Sequence, residues 1–310
     1  MDRVFTLWRR TMLAVLLLSL LPAVERGEVD ATMPAIGRIT SGNLLVSRTC
    51  TGTLIGPDLV LTAAHCVYPA GELTFDVTGE DGTSTVQGFG VATALAHPEF
   101  APQGDDAPND GTHALNDVGI LKLREAVPDD VAAPLRIRRG ALDEDIGGEN
   151  VRAVGYGATR SGPPGIKRSV ELFIGTLLED SYSLIGIDTS EATNTGTVEI
   201  DKGLCRGDSG GPDLMRAGDD DTFEIVGVHA LGSAVCSLSE STRLDNHVER
   251  FIDPVLAGEV PAGCTGDSLD DAVCNEALES GGCSATRNAD ASWLLGAALS
   301  LALHRRRRRS

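Results

Sequence analysis

The chain is short of aromatic residues and of positive charge. Phe, Trp and Tyr make up 4% of its 310 residues, and the formal net charge is -19. Residues 24–283 hold 17 basic residues against 43 acidic ones, a net charge of -26. A body with this charge repels nucleic acid and anionic lipid, so we expect neither as a partner. The acidic excess is otherwise typical of a solvated, solubilising surface.

The chain also lacks an apolar run long enough to span a bilayer. Residues 12–21 are apolar apart from Ser19, and they follow a lead that contains three arginines. A run of this length is too short for a transmembrane helix, but it suits the core of an export signal. We therefore predict a signal peptide over residues 1–23 and a secreted or cell-surface protein.

Seven cysteines are present, at positions 50, 66, 205, 236, 264, 274 and 283. Cysteine-rich chains of this kind are usual in oxidising compartments outside the cytosol, which agrees with export. The odd number leaves one cysteine over, and that residue needs its own explanation.

Short β-branched or apolar runs, separated by Gly, Asp, Asn and Pro, fill residues 33–245. Many short strands with frequent turn residues are typical of an all-β sandwich or barrel. Helical spacing appears only near the end, where apolar residues recur at i, i+3, i+4 and i+7: Val248, Phe251, Ile252 and Val255. This pattern predicts one amphipathic helix at about 245–256.

Three short segments carry residue types suited to amide hydrolysis. They are LTAAHC at 61–66, NDVGILKL at 116–123 and CRGDSGGP at 205–212. A serine becomes a competent nucleophile when an imidazole takes its proton and a buried carboxylate fixes the tautomer of that imidazole. We predict Ser209 as the nucleophile, His65 as the general base and then acid, and Asp117 as the orienting carboxylate. The backbone N–H groups of Gly207 and Ser209 are the predicted oxyanion hole, because the neighbouring glycines allow a tight turn.

In their residues and in the order His, Asp, Ser, these segments resemble the motifs of the trypsin/chymotrypsin family. The string CTGTLIG at 50–56 is also similar to the strand that precedes the family's histidine. The resemblance covers about 24–256. It implies two antiparallel β-barrels, at about 24–135 and 136–244, with the active site in the cleft between them. It also implies a serine endopeptidase that acts on proteins or peptides and needs no metal or cofactor.

The same resemblance implies how most of the cysteines pair. Cys50 with Cys66 would close the loop that carries the histidine, and Cys205 with Cys236 would join the nucleophile turn to the opposite pocket wall. Cys264 could pair with Cys274 to close a small C-terminal loop, which leaves Cys283 unpaired.

Asp208, beside the nucleophile, has its own role in the family. There, this carboxylate pairs with an α-amino group released by processing, and the pair orders the oxyanion hole. The string VERG at 24–27 lies 26 residues before Cys50, about the family spacing, although it lacks the usual second-place valine or isoleucine. We expect signal cleavage after Ala23 to free Val24 for a salt bridge with Asp208.

The family's pocket positions map onto Gly203, Leu204, Arg206, His229 and Gly232. Trypsin-like members have an aspartate where Gly203 stands, so a strong preference for Arg or Lys is not expected. The string IVGVH ending at His229 resembles the glutamyl endopeptidases, whose histidine contacts an acidic substrate side chain, and Arg206 could add positive charge. Leu204 and the acidic body favour apolar substrates instead. Cleavage after apolar and after acidic residues are both open.

The C-terminal part has a different composition. Residues 257–290 are rich in Gly, Asp, Ser and Cys, which predicts a linker. Residues 291–304 form an apolar run, followed by five arginines at 305–309. A cysteine, a short apolar stretch and an arginine cluster together resemble the sorting tails of myxobacterial surface proteins. The resemblance implies that Cys283 is the processing or attachment residue and that 291–310 is the only membrane contact.

Two other functions fit the same residues. A non-catalytic relative would use the scaffold as a surface binding module, although such relatives usually lose a member of the triad. An esterase would use the same triad on ester substrates. The polar loop 101–114 and the acidic turn 218–222 match no EF-hand spacing, so we interpret them as solvated loops and not as calcium sites.

Overall fold

The computed structural model describes the chain over residues 27–42, 47–67, 72–101, 115–159, 162–188, 199–218, 222–232, 236 and 239–275. The predicted signal peptide, Val24, Cys283 and the predicted sorting tail lie outside the described residues, as does most of the loop 101–114. Strands dominate the described part, as its many β-branched runs predict.

The first barrel consists of six antiparallel strands. A short strand β1 (Glu28–Val29) precedes them, and the six are β2 (Ile36–Gly42), β3 (Ser47–Gly56), β4 (Leu59–Thr62), β5 (Leu73–Thr78), β6 (Thr85–Ala96) and β7 (Gly119–Leu123). They close in the order β2–β3–β4–β7–β6–β5. Apolar side chains fill the interior at no more than 1% exposure, among them Ile39, Leu54, Phe75, Phe89 and Leu121.

The second barrel is built from the strands that follow. These are β8 (Arg136–Ile137), β9 (Asn150–Gly155), β10 (Arg168–Leu177), β11 (Ser181–Asp188), β12 (Glu199–Lys202), β13 (Pro212–Arg216), β14 (Phe223–Gly232) and β15 (Ser239–Arg243). Six of them close in the order β9–β13–β14–β15–β11–β10, because β10 pairs with both β9 and β11. The strands β1, β8 and β12 pair at the outside of this barrel with β10, β14 and β11.

The two barrels share a hydrophobic cluster where they face each other. Leu61 and Ile120 of the first barrel belong to the same buried cluster as Val154 and Val228 of the second. Each of these four side chains is at most 1% exposed, so the cluster fixes one barrel against the other. The end of β4, just before His65, and the start of β7, just after Asp117, border this interface.

Helices are few and short. Helix α1 (Ala64–Val67) follows β4, a 3-10 turn covers Glu144–Ile146, and a π-helical turn (Val248–Ile252) continues into α2 (Asp253–Leu256). The predicted terminal helix is therefore present, and its four periodic apolar residues are all at most 5% exposed. The all-β prediction of two antiparallel barrels with one short C-terminal helix is confirmed. Within the described ranges, no helix is both long and apolar enough to cross a membrane.

The segment after the helix differs from the predicted linker. Over residues 257–275 the chain packs on the first barrel, with Leu269 and Ala272 buried and Lys122 of β7 in an ion pair with Asp270. The side-chain amide of Asn275 donates to the carbonyl of Phe100 at 3.1 Å. A few apolar residues, closed into a loop by a disulfide, are enough to hold this polar stretch in place. Residues 276–290 of the predicted linker lie outside the described residues.

Candidate active site

His65 and Asp117 are joined by two hydrogen bonds. The backbone N–H of His65 donates to Oδ1 of Asp117 at 2.9 Å, and Nδ1 of the ring lies 2.6 Å from Oδ2. The carboxylate is 1% exposed, whereas 29% of the imidazole side chain is exposed. Because the carboxylate can only accept, Nδ1 carries the hydrogen, and Nε2 is left with a lone pair that can take a proton.

The turn that carries Ser209 is pressed against the element that carries His65. The carbonyl of Ser209 accepts the N–H of Thr51 at 2.8 Å and lies 3.5 Å from Sγ of Cys66, the residue after His65. Gly210, at φ +82°, leaves no room for a side chain, because a Cβ there would overlap Thr62 of β4. The turn that carries Ser209 therefore lies directly against the segment that carries His65.

The backbone around Ser209 leaves two N–H groups available. Gly207 has φ +104°, which turns the chain so that its carbonyl accepts the Thr51 hydroxyl at 3.0 Å. The N–H of Gly210 donates to the carbonyl of His229 at 2.8 Å. Within the described ranges, the N–H groups of Gly207 and Ser209 have no backbone acceptor. An oxyanion on a substrate could accept both.

Asp208 is completely buried behind this turn. Its carboxylate accepts the N–H of Gly157 at 2.7 Å and the N–H of Cys205 at 2.8 Å. A Cβ on Gly155 or on Gly157 would overlap it, so two glycines form its cavity. Burial raises the pKa of the Asp208 carboxyl above its ordinary value, and the two amides together with the charge of nearby His229 offset that cost only in part. A nearby cation would stabilise the ionised form.

The predicted pocket base is uncharged. Leu204 is 1% exposed, and its N–H donates to Oγ of Ser239 at 2.8 Å. A Cβ on Gly203 would meet the carbonyl of Cys236 at 2.5 Å, and one on Gly232 would meet the carbonyl of Leu204 at 2.6 Å. The two glycines therefore allow the backbone at 203–204 to approach the backbone at 232 and 236 closely. Arg206, another predicted pocket residue, is exposed.

His229 is 1% exposed, and acceptors occupy both nitrogens of its ring. Nδ1 lies 3.1 Å from the carbonyl of Asp208, and Nε2 lies 3.0 Å from Oδ1 of Asp213. The Tyr182 hydroxyl donates to the other oxygen of Asp213 at 2.8 Å. Burial opposes a charge on the ring, but the neighbouring Asp213 carboxylate prevails and the pKa of His229 is raised. An acceptor at each ring nitrogen and the raised pKa both favour the imidazolium form, whose charge the Asp213 carboxylate would balance.

Asp213 and Tyr182 were missed in the sequence interpretation. One signal was available, since Asp213 is the single acid within the strand PDLMR that directly follows the GDSGG turn. An acid on a buried strand needs a partner. Tyr182 carried no comparable signal, because a tyrosine in a strand is ordinary.

Among the described residues three disulfides are formed, and their pairs are those expected from the sequence: Cys50–Cys66, Cys205–Cys236 and Cys264–Cys274. The first closes the loop that ends at α1, and the second ties the nucleophile turn to the segment after β14. His65 lies close to the sulfur atoms of Cys50 and Cys66. Because those sulfurs are bonded to each other, they are not thiolates and this group is not a zinc site.

The family model described as Trypsin matches residues 28–254. The chain is 26% identical to a venom serine protease from Polistes dominula, over 59% of this chain and 66% of that protein. It is 27% identical to a snake venom serine protease from Crotalus durissus durissus, over 74% of this chain and 84% of that protein. The chain therefore spans just under two thirds of the Polistes protein.

A solved structure of HL collagenase has the same fold. Its TM-score with this chain is 0.58 at 19% identity, and the match covers 75% of this chain and 96% of the collagenase chain. At this identity the likeness concerns the fold alone. The match to the Trypsin family model is stronger evidence, because it spans both barrels and all three segments of the predicted triad. The chain belongs to the trypsin family.

Proposed function

We propose that this protein is a secreted serine endopeptidase with Ser209, His65 and Asp117 as its catalytic triad. The observation that carries the proposal is the pair of hydrogen bonds between His65 and Asp117 beside the Ser209 turn. Nε2 of His65 takes the proton of the Ser209 hydroxyl as its oxygen attacks the scissile carbonyl. His65 then gives that proton to the leaving amine, and an acyl-enzyme remains. Water hydrolyses the acyl-enzyme by the same proton transfers in reverse.

The N–H groups of Gly207 and Ser209 are the proposed donors to the oxyanion of the tetrahedral intermediate. Their support is the left-handed backbone at Gly207 and the lack of a backbone acceptor for either group among the described residues. Donors fixed in this way act mainly in the transition state, where the negative charge on the carbonyl oxygen is largest.

The proposed partner of Asp208 is the α-amino group of Val24, released by signal cleavage after Ala23. The pKa of this carboxyl stays raised despite two backbone donors and the charge of His229, so a further cation would stabilise its ionised form, and a new chain terminus supplies one. Strand β1 begins at Glu28, only four residues beyond Val24, and pairs with β10. Strand β10 in turn pairs Arg168 with Gly155, which borders Asp208. Four residues can extend about 13 Å, enough to cross two strand spacings.

For specificity, we propose cleavage after medium-sized apolar residues. The pocket base carries Gly203 and Leu204, and an acidic substrate side chain would find His229 buried and already paired with Asp213. Among the predicted pocket residues, the exposed Arg206 is then the cation that could favour an acid. An acidic substrate side chain that meets only an exposed cation is weakly recognised. Burial of an apolar substrate side chain, by contrast, makes binding more favourable because that side chain leaves water.

Specificity is tested with quenched peptides that differ only in the residue before the scissile bond. We expect kcat/KM for Leu or Met to exceed that for Glu, and that for Lys, by at least about tenfold. The variant Ser209→Ala is the matched blank that detects a contaminating protease. A preference for Glu at pH 6–8 would refute the apolar proposal and support the glutamyl one without affecting the proposed triad.

Export and surface sorting complete the proposal: residues 1–23 act as the signal peptide, and residues 291–310 as a sorting tail processed near Cys283. The support lies in the sequence alone, in the two short apolar runs and the arginine cluster. We expect intact-mass spectrometry of the mature protein to show an N-terminus at Val24 and no arginines 305–309. An N-terminus more than two residues away would refute the Val24 pairing, and an intact arginine cluster would refute the tail.

A further inference from the structure

The residue before the catalytic acid has an unusual backbone. Asn116 lies in the left-handed region at φ +56°, a conformation that side-chain-bearing residues seldom adopt. Its side-chain amide donates to the carbonyl of Glu99 at 3.1 Å. Its backbone N–H donates to Oδ2 of Asp180 at 2.7 Å. Two contacts therefore hold the bend that directs the next residue, Asp117, toward His65.

Asp180 belongs to the other barrel, in the turn that joins β10 to β11. This turn is firmly attached to its own barrel: the N–H of Arg243 donates to the carbonyl of Asp180 at 3.0 Å. The side-chain amide of Asn246 donates to the carbonyl of Glu179 at 2.7 Å. The Asp180 carboxylate is thus a fixed point of the second barrel that bonds to a backbone group of the first.

The second oxygen of the same carboxylate is also held. Nε2 of His247 lies 3.1 Å from Oδ1 of Asp180, and the His247 ring meets the His97 ring edge-on with centroids 4.9 Å apart. Burial, together with the charge of His247, lowers the pKa of His97 to about 4, so this ring is neutral at pH 7. The backbone N–H of His97 donates to the backbone carbonyl of Val118 at 2.9 Å. Both neighbours of Asp117 are therefore fixed, by Asp180 on one side and by His97 on the other.

We propose that Asp180 is a positioning residue for the catalytic acid. Its carboxylate holds the left-handed backbone of Asn116, so the second barrel sets the orientation in which the first barrel presents Asp117. The proposal rests on the proposed protease function. Its consequence is that the seating of one barrel on the other affects the chemical step and not only stability, because displacement of a catalytic group by about 1 Å can cost up to 10² in rate.

The test compares Asp180→Ala, Asp180→Asn and the neighbouring control Glu179→Ala, whose side chain is exposed. Active sites are titrated with a fluorophosphonate so that kcat refers to folded, reactive enzyme only. For Asp180→Ala we expect kcat to fall at least about tenfold with KM within about twofold. Asp180→Asn keeps an oxygen acceptor for the Asn116 N–H, so we expect it to stay within about threefold of wild type. Glu179→Ala should match wild type.

A merely structural role would lower the titrated fraction and leave kcat per titrated site unchanged, and that result for Asp180→Ala would overturn the proposal. If that variant does not fold, Asp180→Glu keeps the charge but displaces the carboxylate by one methylene. Its kcat per site should fall several-fold, and an unchanged value would again overturn the proposal. Wild-type enzyme that neither titrates nor cleaves peptides would instead refute the proposed function.

Discussion

We expect replacement of Asp117 with Asn to lower kcat by about 10⁴ and to leave the fold intact, the size of effect known for this change in proteases that use the same triad. The carboxylate accepts two N–H groups of His65, from the backbone at 2.9 Å and from the ring at 2.6 Å. An amide has only one oxygen for these two donors, and its NH₂ group would favour the ring tautomer with hydrogen on Nε2. His65 would then have no lone pair facing Ser209.

The measurement is steady-state hydrolysis of a fluorogenic peptide, with circular dichroism to show folding. Asp76→Asn is the matched control, because Asp76 also lies in the first barrel and accepts a hydrogen bond from Arg38 at 2.9 Å. We expect this control to keep kcat within about twofold, since this half-buried carboxylate bonds to Arg38 and not to a residue of the proposed triad. Asp117→Asn enzyme that retained a tenth or more of the wild-type kcat would rule out the assigned orienting role.

We expect replacement of Asp208 with Ala to lower kcat/KM by about 10² to 10³, the range seen when an oxyanion donor is lost. The carboxylate holds the N–H groups of Gly157 and Cys205, and the turn between Cys205 and Ser209 contains both proposed oxyanion donors. Without it, two buried N–H groups lose their acceptor and the cavity between Gly155 and Gly157 empties. The turn then loses the side-chain contact that ties it to Gly157.

Asp208→Asn provides the comparison, because an amide fills the same cavity and keeps one acceptor oxygen but cannot pair with an α-amino group. We expect its kcat/KM to lie between those of wild type and Asp208→Ala. Thermal unfolding of each variant separates loss of the turn from loss of the whole fold. If Asp208→Ala stayed within tenfold of wild type, the oxyanion hole would not depend on this carboxylate.

The proposed triad could be assigned from the sequence because each of its residues lies in a short string whose neighbouring residues also have a role at the site. Gly207 and Gly210, for example, take the positive φ values that the nucleophile turn requires, and they are already visible as glycines in CRGDSGGP. The barrels could be predicted for a related reason, since β-branched runs and turn residues specify strands locally. The closure of these strands into two barrels was predicted from the family resemblance, because no local sequence pattern indicates it.

What could not be predicted depends on contacts between distant segments. Asp180 and Asn116 are separated by 64 residues and lie in different barrels, and a turn aspartate is ordinary in any sequence. The interpretation of His229 stayed open because its environment depends on Asp213, brought beside it only by the pairing of β13 with β14. Residues 257–275 resemble a linker in composition, and their packing depends on one disulfide and two buried side chains.

The most direct test of the triad is to label the protein with a fluorophosphonate and locate the adduct by peptide mass spectrometry. We predict one adduct, on Ser209, that forms rapidly in wild type, about 10⁴ times more slowly in Asp117→Asn, and not at all in Ser209→Ala. A non-catalytic binding module would give no adduct. An adduct on a different residue, or none while peptide hydrolysis persists, would contradict the assignment of Ser209 as the nucleophile.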